Sequence, residues 1–132
     1  MTQEDKDLLL RDLCARLPYG VKGVEANTLC SLNTVTHFKS IVKNIEYKIE
    51  HLGFKPYLFP LSSMTEEQKK ESPFESSLLN AFINGYISLF EDEELAIGDV
   101  VRMLEWLNKN HFDYRGLIEK GLAIDCTNLN IY

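Results

Sequence analysis

No stretch of the 132-residue sequence is apolar for long enough to cross a bilayer, since a spanning helix needs about 20 such residues. Positive charge is scarce as well: 14 Lys and Arg stand against 20 Asp and Glu, a formal charge of −6. Duplex-binding surfaces draw affinity from neutralised phosphates and show a basic stripe. The sequence has none. Residues 1–16 are nearly balanced, residues 17–60 carry five Lys against three Glu, and residues 61–132 carry six basic against thirteen acidic groups. Nucleic acid is therefore disfavoured as a partner, and so is an anionic membrane. A nucleic-acid-associated regulator would have to use the local patch at Lys39, Lys43 and Lys48. Cysteine is sparse: Cys14, Cys30 and Cys126 are odd in number, far apart and without a C-x-x-C pair. That points to free thiols in a reducing compartment, and so to the cytoplasm. The opening MTQEDKDLLLRD is acidic before a short apolar run, so no secretory signal is expected. The nucleophile elbow, the phosphate-cradling loop and the dinucleotide fingerprint are all missing.

What is present is an ordinary globular composition, 45% apolar and 26% charged, in a chain long enough for one core. The periodicities predict a single α+β domain over 1–132: a helix (1–18), a small antiparallel, SH3-like sheet region (19–60), a helical region (61–124) and a polar tail (125–132). Thr2 caps the first helix, Leu9, Leu10, Leu13 and Leu17 form its stripe, and Pro18 ends it. Strands are expected in Tyr19–Glu25, Thr28–Leu32 and Val35–Val42, with a turn at Asn33-Thr34. Alternation of Ile45, Tyr47 and Ile49 with charged residues suggests a further strand. A rival period runs through the same residues: Phe38, Ile41, Val42, Ile45, Ile49 and Leu52 make a helical stripe with Thr36 at its start and Gly53 past its end. The frequency of β-branched and aromatic residues favours strand.

Lys55–Pro60 reads as a stiff apolar strap between two prolines. Thr65 and Gln68 have capping-box spacing, so Glu66–Glu71 should be a short helix stopped by Pro73. Leu78, Leu79, Phe82, Ile83, Tyr86, Ile87 and Phe90 form the strongest helical stripe, capped by Ser76 or Ser77 and interrupted by Gly85. The carboxylates Glu91-Asp92-Glu93-Glu94 lack the EF-hand pattern, and His37, His51 and His111 are scattered. No metal or cofactor is expected. Asp99 should cap the next helix, with Val100, Met103, Leu104 and Leu107 inward, ending at Asn108–Asn110. Asp113 should cap a last short helix with Tyr114, Leu117 and Ile118 inward and Gly121 at its end.

The densest chemistry lies in Trp106–Ile124. His111 and Asp113 sit two apart, beside Tyr114 and Arg115, and could form an acid–base site. Each also has a structural task open to it: a helix C-terminus favours an imidazolium, and Asp suits a helix start. Cys14 in a helix and Cys30 in a strand read as packing residues.

Three blocks, LLLRDLCARLPYGVK (8–22), KPYLFPLSSMTEEQKKE (55–71) and WLNKNHFDYRGLIEKGLAI (106–124), resemble a family of small intracellular proteins of gut Bacteroides-type bacteria and their prophage-like regions. The blocks cover about 51 of 132 residues. The resemblance implies a bacterial intracellular setting and a mobile-element origin, and it brings no catalytic residue. The leading expectation is thus a non-enzymatic protein-interaction or regulatory protein with a protein partner. The alternatives are a small-molecule-binding or hydrolytic enzyme at His111, Asp113, Tyr114 and Arg115, and a nucleic-acid-associated regulator.

Overall fold

The computed structural model describes residues 1–25, 28–31, 38–91 and 95–132. Helix α1 (Gln3–Arg16) starts where Thr2 and Asp5 exchange hydrogen bonds: Thr2 Oγ1 accepts from the Asp5 N–H at 3.1 Å and the Asp5 carboxylate accepts from the Thr2 N–H at 3.3 Å. Leu9 and Leu13 are fully buried on its inner face. A 3-10 turn, Leu17–Tyr19, closes on Gly20, whose φ of +69° suits a residue without a Cβ.

Strands β1 (Lys22–Glu25) and β2 (Thr28–Ser31) pair antiparallel, and β1 pairs antiparallel with β3 (Lys55–Pro60). Between β2 and β3 the chain is helical, α2 (Phe38–His51). This corrects the strand assignments for the segment around Ile45–Glu50 and for residues 38–42 of Val35–Val42, on which the SH3-like reading rested. Ile45 and Ile49 are buried while Tyr47, between them, is 56% exposed. A strand would put all three on one side, but a turn of about 100° per residue sends Tyr47 away from the other two. Gly53, at φ +61°, lies just past the helix end, as the rival period requires. Thr36 as its cap, the Asn33-Thr34 turn and the side chains of Phe38, Ile41 and Val42 lie outside what is described.

Strand β3 is the centre of the sheet rather than a strap beside it. It pairs parallel with two-residue strands β4 (Phe112–Asp113) and β5 (Ile124–Asp125), giving the order β2-β1-β3-β4 with β5 also on β3. The sheet is therefore mixed, not wholly antiparallel. Pro56 and Pro60 have no N–H to give, and each pairing on β3 is only two residues long. Gly23 is required opposite this strand. A Cβ there would stand 2.3 Å from the Phe54 ring and 2.5 Å from the Lys55 carbonyl oxygen.

The 3-10 turn Leu61–Ser63 leads to α3 (Glu66–Glu71), whose Thr65–Gln68 capping box forms in both directions. Helix α4 (Ser76–Ile83) is shorter than the apolar stripe over 78–90 predicts. Gly85 adopts φ +80°; its N–H reaches the Phe82 carbonyl, and the Tyr86 N–H reaches the Ala81 carbonyl. These two bonds define a Schellman ending, so Gly85 stops the helix instead of sitting inside it. The cap is Glu75, not Ser76 or Ser77. Helix α5 (Ile97–Lys109) begins at Ala96, placing Asp99 in the first turn rather than at the cap, and ends at Asn110. The helix expected after Asp113 is a series of turns over 117–121.

Among the described residues, two apolar clusters form. One gathers Leu9, Leu13, Val21, Ile45, Ile49, Phe54, Leu58, Leu117, Leu122 and Ala123; the other gathers Met64, Phe74, Leu79, Phe82, Leu89, Met103, Leu107 and Phe112. Alternation along β3 supplies both, Leu58 to the first and Phe59 to the second. The tail is part of the fold: Cys126 is buried and its N–H donates to the Leu58 carbonyl at 3.0 Å. Among the described residues no helix is long and apolar enough to cross a membrane.

Candidate functional site: a buried charge node beneath an open apolar groove

Asp12 and Arg16 are one turn apart on α1, on the side of Leu9 and Leu13, and both are 0% exposed. Asp12 Oδ2 accepts from Arg16 Nε at 2.7 Å, and Oδ1 accepts from Arg16 Nη2 and Arg115 Nε, each at 3.2 Å. Arg16 Nη2 also donates to the Phe112 carbonyl at 2.6 Å. The pair thus ties α1 to β4. Both guanidinium groups lie 5.1 Å from the centre of the Tyr114 ring, and Arg115 also lies 5.3 Å from that of Phe90. Cations over aromatic faces attract the ring quadrupole, so the node continues through Arg115 to an exposed phenylalanine.

The sequence singled out four neighbouring residues, and the structure sends them to separate tasks. Asp113 is buried; its Oδ1 accepts from the N–H groups of Arg115 (3.2 Å) and Leu117 (3.0 Å), and its Oδ2 from Ile118 (2.9 Å). It caps the turns that replace the expected helix. Tyr114 donates its hydroxyl to Asn108 Oδ1 at 2.7 Å. Arg115 serves Asp12.

His111 faces the tail. It has φ +62°, and its ring lies parallel to that of Tyr132, 3.5 Å between centres. Burial, with Arg16 and Lys22 near by, lowers its pKa to about 4, so the imidazole is neutral at physiological pH. Tyr132 accepts from the Lys22 N–H at 3.0 Å and donates to the Tyr57 carbonyl at 2.9 Å, with its own pKa pushed up to about 12, chiefly by burial. The sequence reading did not single out Asp12, Arg16 or Tyr132. A signal for the first two was present: positions 12 and 16 lie three residues after Leu9 and Leu13, on the same helix face.

Burial and Glu46 raise the Cys14 thiol, and burial with Asp125 pushes Cys126 up to about 11. Both are held protonated, the unreactive form. The side chain of Cys30 and all of His37 lie outside the described residues. Among the described residues no group of three or more His, Cys, Asp or Glu is placed to hold a metal ion. Of the carboxylate run, Glu91 is described and exposed; residues 92–94 lie outside. Of the suggested lysine patch, Lys48 is paired with Glu25 at 2.7 Å and Lys43 is exposed.

Among the described residues, several hollows lie away from the imidazole. A hollow of about 490 Å³ is lined by Leu89, Phe90, Glu91, Leu95, Ile97, Val100 and Val101. A second of about 240 Å³ shares Leu89 and Phe90 with it and continues past Ile83 and Ile87 to Leu61 and Tyr114. A third of about 310 Å³ shares Leu61, Ile83 and Tyr114 and runs on to Asp113, Gly116, Ile118 and Glu119. Shared walls make these one groove. Beside it stand Tyr86 (83% exposed), Ile97 (82%) and Phe90 (59%). Asp113 and Tyr114 line the groove; His111 and Arg115 are not among the residues lining these hollows. A smaller cleft between α1 and α2, about 150 Å³, is lined largely by charged groups, and the Lys6–Glu50 ion pair lies within it at 3.6 Å. No protein-family model, curated protein or solved structure matches the chain.

Proposed function

We propose that the chain is a non-enzymatic protein-interaction or regulatory protein of the bacterial cytoplasm, of mobile-element origin, and that its working surface is the groove between α4 and α5. The carrying observation is the set of large apolar side chains exposed in adjoining hollows, Phe90, Ile97 and Val101, with Tyr86 exposed beside them. Contiguous exposed apolar surface of this kind marks interaction sites, because covering it removes water from surface that folding left uncovered. The Schellman ending at Gly85 stops the helix before Tyr86 and Phe90, and both side chains stand exposed. The fates of His111, Asp113, Tyr114 and Arg115 support the same reading, since each has a structural partner.

Selection of displayed random peptides on the folded protein tests it. Enrichment of binders that are lost when Ile97 and Val101 are both replaced by Asp is the expected result. Equal selection on the substituted and unsubstituted proteins would overturn the proposal.

A further inference from the structure

Charge along the groove is one-sided. Among the described residues, every lining side chain that is charged at neutral pH is a carboxylate: Glu91 toward the Ile97 end, Asp113 and Glu119 toward the Ile118 end. No Lys or Arg of the described residues lines any part of it. The central stretch, past Ile83, Ile87, Leu89 and Phe90, has no charged lining side chain; Arg115, which stacks on the Phe90 and Tyr114 rings, is engaged by Asp12. Asp113 is committed to three backbone N–H groups, which leaves Glu91 and Glu119, both exposed, as acceptors for a partner. Tyr86 adds an aromatic face open to a cation.

Resting on the groove reading above, we infer that the occupant is a peptide segment of a partner protein, apolar in its middle and carrying Lys or Arg on both flanks. Apolar burial would supply most of its affinity. The two acidic ends select the sign of the flanks and so exclude acidic partners, the division of labour usual at protein interfaces.

Two designed peptides test this with the full chain, read by fluorescence anisotropy. They share a middle of leucines and one phenylalanine; one has paired lysines at each end and the other paired glutamates. The lysine peptide should bind about fivefold or more tightly, since exposed ion pairs at both ends each add a modest gain, and its advantage should shrink as salt is added. The Glu91→Gln/Glu119→Gln double variant, altered only at exposed positions, should abolish the preference. Equal binding of the two peptides, both still lost in the Ile97→Asp/Val101→Asp variant, would overturn the charge inference while leaving the groove in place. A lysine preference unchanged by Glu91→Gln/Glu119→Gln would also overturn it, because the basic flanks would then be meeting the general negative charge of the protein. Failure of both peptides to bind would count against the groove itself and the inference with it.

Discussion

Removing Asp12 should be among the most damaging single changes to this protein. Its carboxylate receives three N–H groups, two from Arg16 and one from Arg115, and Arg16 is entirely shielded from water. In Asp12→Ala, Arg16 retains only the Phe112 carbonyl, and its Nη1, buried without a protein partner already, gains nothing. Arg115 is partly exposed and can turn to solvent, so most of the cost falls on Arg16. Leaving a buried charge uncompensated costs about 3–5 kcal/mol, against a total stability of about 5–15 kcal/mol.

Urea unfolding followed by the fluorescence of Trp106, the sole tryptophan, stacked on Phe112 at 5.6 Å between centres, provides the assay. The double change Asp12→Leu/Arg16→Met removes both charges and should recover part of the loss. It leaves the Phe112 carbonyl without its Arg16 donor, a cost of about 1–3 kcal/mol, while Arg115 loses Asp12 in both variants. The double variant should therefore be more stable than Asp12→Ala. A loss below about 1 kcal/mol in Asp12→Ala, or a double variant weaker than the single one, would refute the description of Asp12–Arg16 as a buried, mutually dependent pair.

Other outcomes follow from single positions. Gly23→Ala should lower stability by about 1–3 kcal/mol, because the new methyl meets the Phe54 ring and the Lys55 carbonyl; denaturant melts would read it. His111 has a folded pKa below its usual 6.5, at about 4. As pH falls through that window the unfolded chain takes up the proton first, so stability present above about 6.5 should drain away toward about 4. The excess loss over His111→Asn, which tolerates the positive φ, should be about 1–3 kcal/mol in denaturant melts at a series of pH values. Ile97→Asp should leave the melting midpoint nearly unchanged, since Ile97 is 82% exposed and surface substitutions usually fall within about 0.5 kcal/mol.

Local signals in the sequence translated directly into structure. The caps at Thr2 and Thr65 depend on residues three positions apart, and both form. The faces of α1 and α5 follow from their periods. Where two periods shared the same residues, as at Ile45, Tyr47 and Ile49, propensity chose wrongly; the burial of Ile45 and Ile49 against α1 decided for helix. Gly85 was visible as an interruption, but whether a glycine sits within a helix or ends it depends on the backbone after it. Asp113 was expected to cap a helix; it accepts the N–H groups that follow it, but the segment stays a series of turns. The Asp12–Arg115 contact joins residues 103 positions apart, and the Tyr132–Tyr57 bond joins residues 75 apart; no period within one segment reports such pairings. The groove was unreadable for a related reason: Tyr86 and Phe90 look like core residues until the chain direction changes at Gly85.

The most direct test of the groove as the working surface is to map, by amide chemical-shift perturbation, where a peptide selected on the folded protein binds. Perturbations concentrated in residues 83–91, 95–101 and 114–119 are the predicted result. Perturbations centred instead on the α1–α2 cleft at Lys6, Asp7 and Glu46, or on the His111–Tyr132 stack, would contradict it.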